Sequence, residues 1–324
     1  MLLPGCFEEP SLTSYIIRKV LIAIPVLIAV VTLVFLAIRL TPGDPVRHML
    51  PPDASEADVT QMRKHLGLDQ PLLQQYFRYW ERMLHGDLGN SLRTRRPVWD
   101  ELASRMPYTA ELALVAVILS ALIGVPIGVY SAIRQNTLFD GVMRVAAFIG
   151  VSFPSFWLGM MFILLFALKL GWFPASGRAG PIWTLVGFRS ILLPALTLAI
   201  GSAASISRMT RSSMLEVIRQ DYITVAKAKG LRESRVHWKH SLKNALIPVV
   251  TLLGIQFGFL LGGAVISETI FAWPGLGQLA VKAIMFRDYP LIQGVVFFFA
   301  TSVVLVNLLI DLTYVFIDPR VTTS

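Results

Sequence analysis

Residues that could perform catalysis or hold a cofactor are few in this chain. Its five histidines all fall in segments that indicate loops or helix ends, so no nucleophile and base are expected to meet inside a helical bundle. The single cysteine, Cys6, excludes an intrachain disulfide and a cysteine-rich metal site. No Gly-x-x-x-x-Gly-Lys-Ser/Thr loop occurs, so the chain lacks the usual backbone cradle for ATP phosphates. The sequence predicts a chain that is not an enzyme and binds no cofactor itself.

The segment from Asp221 to Leu231 has the pattern of a short helix with defined ends. Asp221 is of a type that caps the amino end of a helix, and Gly230 permits the left-handed turn that ends one. Lys227 and Lys229 complement the helix dipole at the carboxyl end. A helix of about nine residues has little stability alone, so the rest of its loop or another protein must hold it.

One face of this predicted helix suits docking. Tyr222, Ala226 and Gly230 are spaced by four residues, so they share one side of the helix. That side carries an aromatic ring beside nearly bare backbone, because alanine and glycine cover little of the main chain. We interpret the segment as a contact surface for another protein.

Two sets of glycines lie at four-residue spacing within apolar stretches. Such spacing gives flat helix faces that permit close contact. These faces either pack within one bundle, or meet a second subunit or line a passage, and the sequence leaves both possibilities open. The glycines are Gly124 and Gly128 in one stretch and Gly254, Gly258 and Gly262 in another.

The segment 268–277 indicates a turn near the outer mouth of a passage. Glu268, Trp273, Pro274 and Gly275 are its candidate gate residues. Trp273 could equally be an anchor in the membrane interface, where tryptophan is enriched. The glycines here do not indicate nucleotide binding, because no strand precedes them.

The elements that position these residues are apolar helices. Hydrophobic residues make up 55% of the 324 residues and charged residues only 15%, which is too apolar for an ordinary soluble domain. A hydrocarbon layer about 30 Å thick needs about 20 apolar helical residues to cross it. Six stretches meet this need, and Pro154 makes the third either a kinked helix or a span with a re-entrant piece. The stretches are residues 20–40, 108–131, 142–170, 190–207, 248–271 and 291–316.

The placement of basic residues predicts the orientation. Residues 208–243 hold nine Lys or Arg against three acids, so this segment should be cytoplasmic, and basic residues near both ends put both termini on the same side. Residues 41–107 hold nine basic and nine acidic residues, and a segment longer than about 60 residues is largely exempt from this rule. We expect an all-α integral membrane protein with six transmembrane helices and N-in/C-in topology. Nucleic acid is not an expected partner, because the basic residues are divided between the two sides.

The predicted parts of the chain follow from these spans. Residues 1–19 form a cytoplasmic tail, 20–40 the first transmembrane helix and 41–107 a helical extracytoplasmic insertion. Residues 108–324 form the core, which holds the other five transmembrane helices and the loop 208–247 with the docking helix. Membrane lipid surrounds such a core.

Two short helices are predicted inside the insertion. Ser55 with Asp58 has the pattern of a capping box, and Gly67 supplies the end of that helix. After Pro71, apolar and aromatic residues recur at helical spacing, so the second helix should lie flat with its aromatic side chains at the interface or against the spans. The insertion either packs as a lid or also receives a binding protein.

Motifs that follow in order along nearly the whole chain resemble those of one transporter family. The central motif is Ala226-Lys227-Ala228-Lys229-Gly230, continued by His240-Ser241-Leu242-Lys243-Asn244-Ala245. The other landmarks are Pro42–Pro45, Leu66–Leu72, Gly86–Gly89, Arg208–Met214, Glu268–Gly277 and Arg287–Pro290. Together these resemble the permease subunits of peptide-type ABC importers, the inner-membrane components of binding-protein-dependent transport systems for dipeptides and oligopeptides.

The resemblance implies a coupling role for the segment 222–230. In that family the motif docks on the ATPase, which here implies docking through Tyr222, Ala226, Ala228 and Gly230, with Lys227 and Lys229 in the same segment. Thr224 stands where many other ABC importers have a glutamate. Lys227 and Lys243 stand where arginine is common, which keeps the charge without the bidentate geometry.

The resemblance also implies partners and a location. These are a second permease subunit, two cytoplasmic subunits that bind ATP and Mg, an extracytoplasmic solute-binding protein and the bacterial plasma membrane. The cargo stays open among dipeptides, longer peptides, glutathione, nickel complexes and opines.

An ion-coupled secondary carrier is the alternative function. Such carriers usually need ionisable residues near the membrane midplane. Here Glu111, Lys169 and Glu268 lie near the ends of stretches, and only Asp311 is a candidate for a deep position. We interpret these residues as end anchors or helix pairs, so the energy should come from a separate ATPase.

Overall fold

The structure is a computed structural model that describes residues 12–41, 46, 47, 53 and 55–317. In this part of the chain the regular secondary structure is helical, apart from one antiparallel bridge between Asn90 and Pro97. The all-α prediction is therefore confirmed. The Pro42–Pro45 landmark and most of the predicted tail lie outside the described residues, as does the side chain of Asp311.

The helices of the described part are named α1 to α12 in chain order. They are α1 Leu12–Leu40, α2 Glu56–His65, α3 Leu72–Leu84, α4 Val98–Ile133, α5 Leu138–Ser152, α6 Ser155–Phe162, α7 Leu185–Ile218, α8 Asp221–Ala228, α9 Leu242–Gly263, α10 Val265–Ile270, α11 Leu276–Met285 and α12 Tyr289–Ile317. A π-helical stretch, Ile163–Lys169, continues α6. A helical turn, Glu233–Arg235, and a second π-helical stretch, Val236–Ser241, lead into α9.

Each of the six predicted stretches is apolar helix in the structure. Within the described residues, α1, α4, α7, α12 and the helical run ending in α9 are each long and apolar enough to cross a membrane. The third stretch is α5 and α6 with its π-helical extension, bent by 98°. Phe153 is extended at the bend, as expected for a residue before proline. This stretch is thus either a broken span or a re-entrant loop.

The fifth stretch is shorter than the prediction. α9 ends at Gly263, and residues 265–270 form the separate helix α10. The prediction of one span through residue 271 is therefore wrong. The break after α9 returns the chain toward the start of α4, where Glu268 and Trp273 find their partners.

The centre of the bundle is the pair α4 and α7. Leu112 and Ala116 of α4 and Ile191 of α7 are fully buried in one core with Leu260 of α9 and Trp273. α7 has 34 residues, so at 1.5 Å per residue it is about 50 Å long, about 20 Å more than the hydrocarbon layer. α7 is therefore longer than the layer is thick, and its last turns, which carry Arg208 and Arg211, lead directly to α8.

Both predicted helices of the insertion are present. Ser55 and Asp58 form the capping box of α2, and Gly67 follows that helix with a φ of +66°. α3 packs its aromatic side against α1, with the ring centroids of Phe35 and Tyr76 5.2 Å apart. A hydroxyl hydrogen bond of 2.8 Å joins Tyr76 to Thr32.

Candidate functional site

The predicted docking helix is α8. Its amino-terminal cap is Gln220, whose side chain makes no capping hydrogen bond. The prediction that Asp221 is the cap is therefore wrong. Asp221 lies in the first turn, where its negative charge still interacts favourably with the helix dipole.

The carboxyl end of α8 agrees with the sequence pattern. Gly230 has a φ of +74°, and its N–H donates to the carbonyl of Lys227 at 2.9 Å. Apart from its two chain neighbours, no atom of the described residues lies within 4 Å of the point where a Cβ would stand on Gly230. The side chains of Lys227, Ala228 and Lys229 are exposed. The end of the helix is therefore an open surface.

One buried side chain holds α8 to the bundle. Ile223 is fully buried, whereas Tyr222 is 43% exposed and Val225 is 52% exposed. Ala226 is half-buried. The sequence left open whether the rest of the loop or another protein holds this helix. In the structure α8 packs on the stretch 236–241 of the same loop, so the loop itself holds it.

A hydrogen bond also joins α8 to the start of α9. Asn244 Nδ2 donates to the hydroxyl of Tyr222 at 2.7 Å. The ring of Trp238 meets that of Tyr130 near the end of α4, with centroids 5.8 Å apart. α8 is thus connected to α4 and α9 as well as to α7, which precedes it.

The glycines of the first set lie where α4 touches α7. A Cβ on Gly124 would stand 2.6 Å from the carbonyl oxygen of Ala203, and one on Gly128 would stand 2.6 Å from that of Ser207. Real Cβ atoms do not approach so closely. The absence of a side chain therefore brings these two backbones into contact.

The second set of glycines packs against α12. Cβ atoms on Gly254 and Gly258 would stand 2.7 Å from Ile310 and 2.9 Å from Val306. Gly262 faces Val303 at 3.3 Å. All five glycines thus contact neighbouring helices of the same chain.

The candidate outer gate is a buried cluster, here called the Glu268 cluster: Thr109, Glu268, Trp273, Leu276 and Gln278. Thr109 Oγ1 donates to Glu268 Oε1 at 2.7 Å, and the N–H of Gln278 donates to Oε2 at 3.1 Å. The N–H of Leu276 donates to Thr109 Oγ1 at 2.8 Å. The fully buried Glu268 is therefore satisfied by the start of α4 and by α11.

Trp273 is fully buried as well. Its Nε1 donates to the carbonyl of Tyr108 at 2.8 Å. The alternative of an anchor in the membrane interface is therefore wrong. Gly275 lies against the Glu268 carboxylate without room for a Cβ, and the carbonyl of Pro274 accepts from Arg105 Nη1 at 3.4 Å.

Sequence reasoning missed an ion pair near the predicted cytoplasmic ends of α4, α5 and α7. Arg211 Nε and Nη2 donate to the two carboxylate oxygens of Asp140 at 2.7 and 2.8 Å. Ser131 Oγ donates at 2.5 Å, the N–H of Asn136 donates at 3.1 Å, and Asp140 is fully buried. The signal was local: Thr137 caps α5 by accepting from the N–H of Asp140, a pattern that places an acid three residues after a cap.

Glu111 also has a partner that the sequence did not reveal. Arg178 Nε and Nη2 donate to its two carboxylate oxygens at 3.0 and 3.2 Å. The loop between α6 and α7 is thereby tied to α4. In the same loop, the N–H of Gly177 donates to the carbonyl of Phe271 at 2.7 Å.

Two family models match the chain. The model described as "Binding-protein-dependent transport system inner membrane component" covers residues 124–323. The model described as "Binding-prot-dependent transport system membrane comp, N-term" covers residues 12–113.

Similar curated proteins span nearly the full chain. The dipeptide transport system permease protein DppB of Alkalihalophilus pseudofirmus is 42% identical over 329 residues, which is 95% of this chain and 99% of DppB. The glutathione transport system permease protein GsiC of Escherichia coli strain K12 is 41% identical over 308 residues, which is 95% of this chain and 98% of GsiC.

Solved structures share the fold. A chain of the inward-facing MetNI methionine ABC transporter aligns with a TM-score of 0.55 at 21% identity, over 69% of this chain and 97% of that one. A chain of an amino acid ABC transporter crystallised with histidines aligns with a TM-score of 0.51 at 15% identity, over 66% and 92%.

Proposed function

The chain belongs to the inner membrane components of binding-protein-dependent transport systems, as a peptide-type permease subunit of an ABC importer in the bacterial inner membrane, and we propose that it receives the force of ATP hydrolysis through α8. The secondary-carrier alternative has no support in this family. Importers of this family work with an ATPase and a binding protein. On this proposal both chemistry and nucleotide lie on the ATPase partner, and this chain is not catalytic.

The attachment of α8 supports the proposal. A lever must be exposed on one side and held firmly on the other. α8 exposes Tyr222 and the open backbone at Gly230, and it is held by the buried Ile223. Force applied to the exposed side therefore passes into α7, and through the glycine contacts of α7 into α4.

We further propose that this chain pairs with a second permease subunit, with both termini in the cytoplasm and the insertion outside. The ATPase partners would bind α8 differently in the inward- and outward-facing states, since equal binding to both would shift no equilibrium. The Glu268 cluster carries buried hydrogen bonds between α4, α10 and α11. We expect it to move as one unit, so that the outer passage opens between two permease subunits.

The cargo that best fits the relatives is a short peptide. DppB and GsiC are named for dipeptides and for glutathione, a tripeptide. Mass spectrometry of the ligand on the copurified binding protein identifies the cargo. Recovery of a non-peptide solute, such as a nickel complex, would overturn this part of the proposal.

The coupling role is tested by two substitutions at one position. Gly230→Ala and Gly230→Trp place the same kind of strain on a backbone with a φ of +74°, a cost of about 1–2 kcal/mol in either case. In the part of the chain that the structure describes, the Cβ of either side chain meets no atom within 4 Å other than those of the two chain neighbours. The two variants therefore differ mainly in what they present to a partner.

We expect Gly230→Trp to retain folding and lose most import and most substrate-stimulated ATP hydrolysis. Gly230→Ala should keep both. Both activities are measured in proteoliposomes with the whole importer. Equal import by the two variants would refute the docking role, because a bulky ring at a docked surface cannot be neutral.

A further inference from the structure

The loop between the π-helical extension of α6 and the start of α7, here called the strap, comprises residues 170–184. It contains turns and bends but no helix or strand. Loops longer than about 12 residues without regular structure are uncommon, and an ordered one is usually functional. None of the candidate coupling, packing or gate residues lies in the strap. The proposed function therefore leaves it without a role.

Arg178 attaches the strap to α4. It donates to both carboxylate oxygens of Glu111, at 3.0 and 3.2 Å. Its guanidinium carbon also lies 4.7 Å from the centroid of the Tyr108 ring, a distance at which a cation is attracted to an aromatic face. The carbonyl of Tyr108 accepts from Trp273, a member of the Glu268 cluster. The same turn of α4 therefore carries both the strap and the cluster.

Two backbone hydrogen bonds attach the strap to further helices. The N–H of Gly177 donates at 2.7 Å to the carbonyl of Phe271, the residue that follows α10. The N–H of Ala179 donates at 3.4 Å to Ser190 Oγ on α7. The two ends of the strap continue into the α6 extension and into α7. The strap therefore joins α6 and α7 to α4 and α10, at the end of the bundle that holds the Glu268 cluster.

Water reaches the attachment at Arg178 but not the Glu268 cluster. The side chains of Arg178 and Glu111 are 18% and 13% exposed, whereas Glu268 and Trp273 are fully buried. When a partly exposed ion pair separates, water hydrates both charges, so the separation costs less than that of a fully buried pair. A movement at this end of the bundle should therefore break the pair of Arg178 and Glu111 before it breaks the cluster.

Two glycines give the strap places where its backbone can turn. Gly171 and Gly177 have φ angles of +64° and +81°, which other residues rarely adopt. Apart from chain neighbours, no atom of the described residues lies within 4 Å of the point where a Cβ would stand on either glycine. The strap can therefore change direction at these positions without displacing a packed side chain, as a hinge requires.

We propose that Arg178 is a positioning residue of the outer gate. Its ion pair with Glu111 holds the Glu268 cluster in the buried arrangement of the structure and separates when the passage opens. This role rests on the proposed function, in which the Glu268 cluster belongs to the outer gate. Loss of the pair shifts the equilibrium toward the open arrangement, because only the closed arrangement contains this contact.

Hydrogen exchange of residues 268–278 measures how often the cluster opens, because the N–H groups of Leu276 and Gln278 are bonded inside it. It is measured on the whole importer without nucleotide. Arg178→Gln and Glu111→Gln should each raise the exchange rate about five- to tenfold, as expected for a pair between the surface and the core. No ATP is used, so failure of this test would leave the coupling role of α8 untouched.

A second state separates a gate contact from a purely structural one. The importer is trapped with vanadate and its binding protein, because a binding protein delivers cargo only to an open passage. The pair is then already separated, so both variants and the wild type should exchange residues 268–278 at the same rate. A structural contact would keep the variants faster in both states. A difference of fivefold or more that persists in the trapped importer would overturn the gating role.

Two further variants test whether the pair itself is responsible. The double variant Glu111→Gln with Arg178→Gln should exchange no faster than either single variant, because one contact is lost only once. Arg189→Gln is the matched control, since Arg189 is exposed in the second turn of α7, and it should exchange at the wild-type rate. Unchanged exchange in both single variants, additive increases in the double variant, or an equal increase in Arg189→Gln would overturn the assignment.

Discussion

Shortening the side chain of Ile223 should release α8 from the bundle. Ile223 is fully buried, and α8 has only eight residues. A helix of that length has no stability of its own in water. Replacing a buried isoleucine with alanine costs about 2–5 kcal/mol. This cost falls on the few contacts that hold α8.

A loss of about 3 kcal/mol lowers the ratio of attached to detached α8 by about 100-fold. We therefore expect Ile223→Ala to raise the hydrogen-exchange rate of residues 221–228 by up to that factor. Import in proteoliposomes should fall while basal ATP hydrolysis persists, because a detached helix transmits no force. Val225→Ala is the control, since Val225 lies on the same helix and is 52% exposed.

Hydrogen exchange and import are measured on the same preparation of the whole importer. Unchanged protection of α8 in Ile223→Ala would refute the anchoring argument. Increased exchange with full import would refute the lever instead, since the helix would then be free and coupling intact. If Val225→Ala also loses the hydrogen-exchange protection of α8 and import, shortening any side chain of α8 has this effect and Ile223 is not a specific anchor.

Three further substitutions test the packing and the buried charges. Gly124→Ala should lower the free energy of unfolding by about 1–3 kcal/mol, because its Cβ would stand 2.6 Å from a backbone oxygen of α7, and thermal unfolding in detergent measures the loss. Asp140→Ala should lower the free energy of unfolding by about 3–5 kcal/mol, because it leaves Arg211, which is only 20% exposed, without its partner. Thermal unfolding in detergent measures this loss as well. Glu268→Gln should lower the free energy of unfolding by about 1–3 kcal/mol, because an amide nitrogen facing the N–H of Gln278 opposes two donors, and one facing Thr109 leaves the hydroxyl hydrogen without its acceptor. Its melting temperature should fall accordingly.

Each of these substitutions has an internal comparison. Gly201 lies on α7, and outside the adjoining backbone of its own helix no atom of the described residues lies within 4 Å of the point where its Cβ would stand. Gly201→Ala should therefore be neutral or stabilising, and equal losses at Gly124 and Gly201 would contradict the close contact. The double variant Asp140→Ala with Arg211→Leu should recover part of the loss, because no buried charge is then unpaired. If the losses of unfolding free energy in Asp140→Ala and Arg211→Leu simply add up to the loss in the double variant, the two side chains do not interact. A melting temperature of Glu268→Gln equal to that of the wild type would contradict the hydrogen-bond pattern of the Glu268 cluster.

Features with local causes were predictable from the sequence. The end of α8 follows from Gly230, and the capping box of α2 follows from Ser55 and Asp58, because each motif acts within one helical turn. The apolar stretches are visible because crossing a bilayer requires many consecutive apolar residues. The sequence does not determine how sharply the chain bends at Pro154, since a proline breaks a helix without setting the angle between the two parts.

Features with distant causes were not predictable. Thr109 and Glu268 are 159 residues apart, and Asp140 and Arg211 are 71 apart. No local pattern joins such pairs. The sequence therefore predicts Glu268 at the outer mouth of the passage but does not identify Thr109 as its partner. Ile223 is one of several apolar residues in a charged loop, and only its burial distinguishes it from its neighbour Val225. The predicted cap, Asp221, lies one position after the actual cap, Gln220, because a capping residue and an acid in the first turn have similar sequence signals.

The pair of Asp140 and Arg211 has a consequence for how the protein is made. Synthesis at about 5–20 residues per second places about 4–14 s between the two residues emerging from the ribosome, given their separation of 71 positions. During that interval the carboxylate of Asp140 has only the exposed guanidinium of Arg144, 3.7 Å away on the next turn of α5, and burying it without Arg211 would be costly. The amino end of α5 must therefore remain in water until α7 has been translated, so closure of the bundle on this side waits for its fourth apolar stretch.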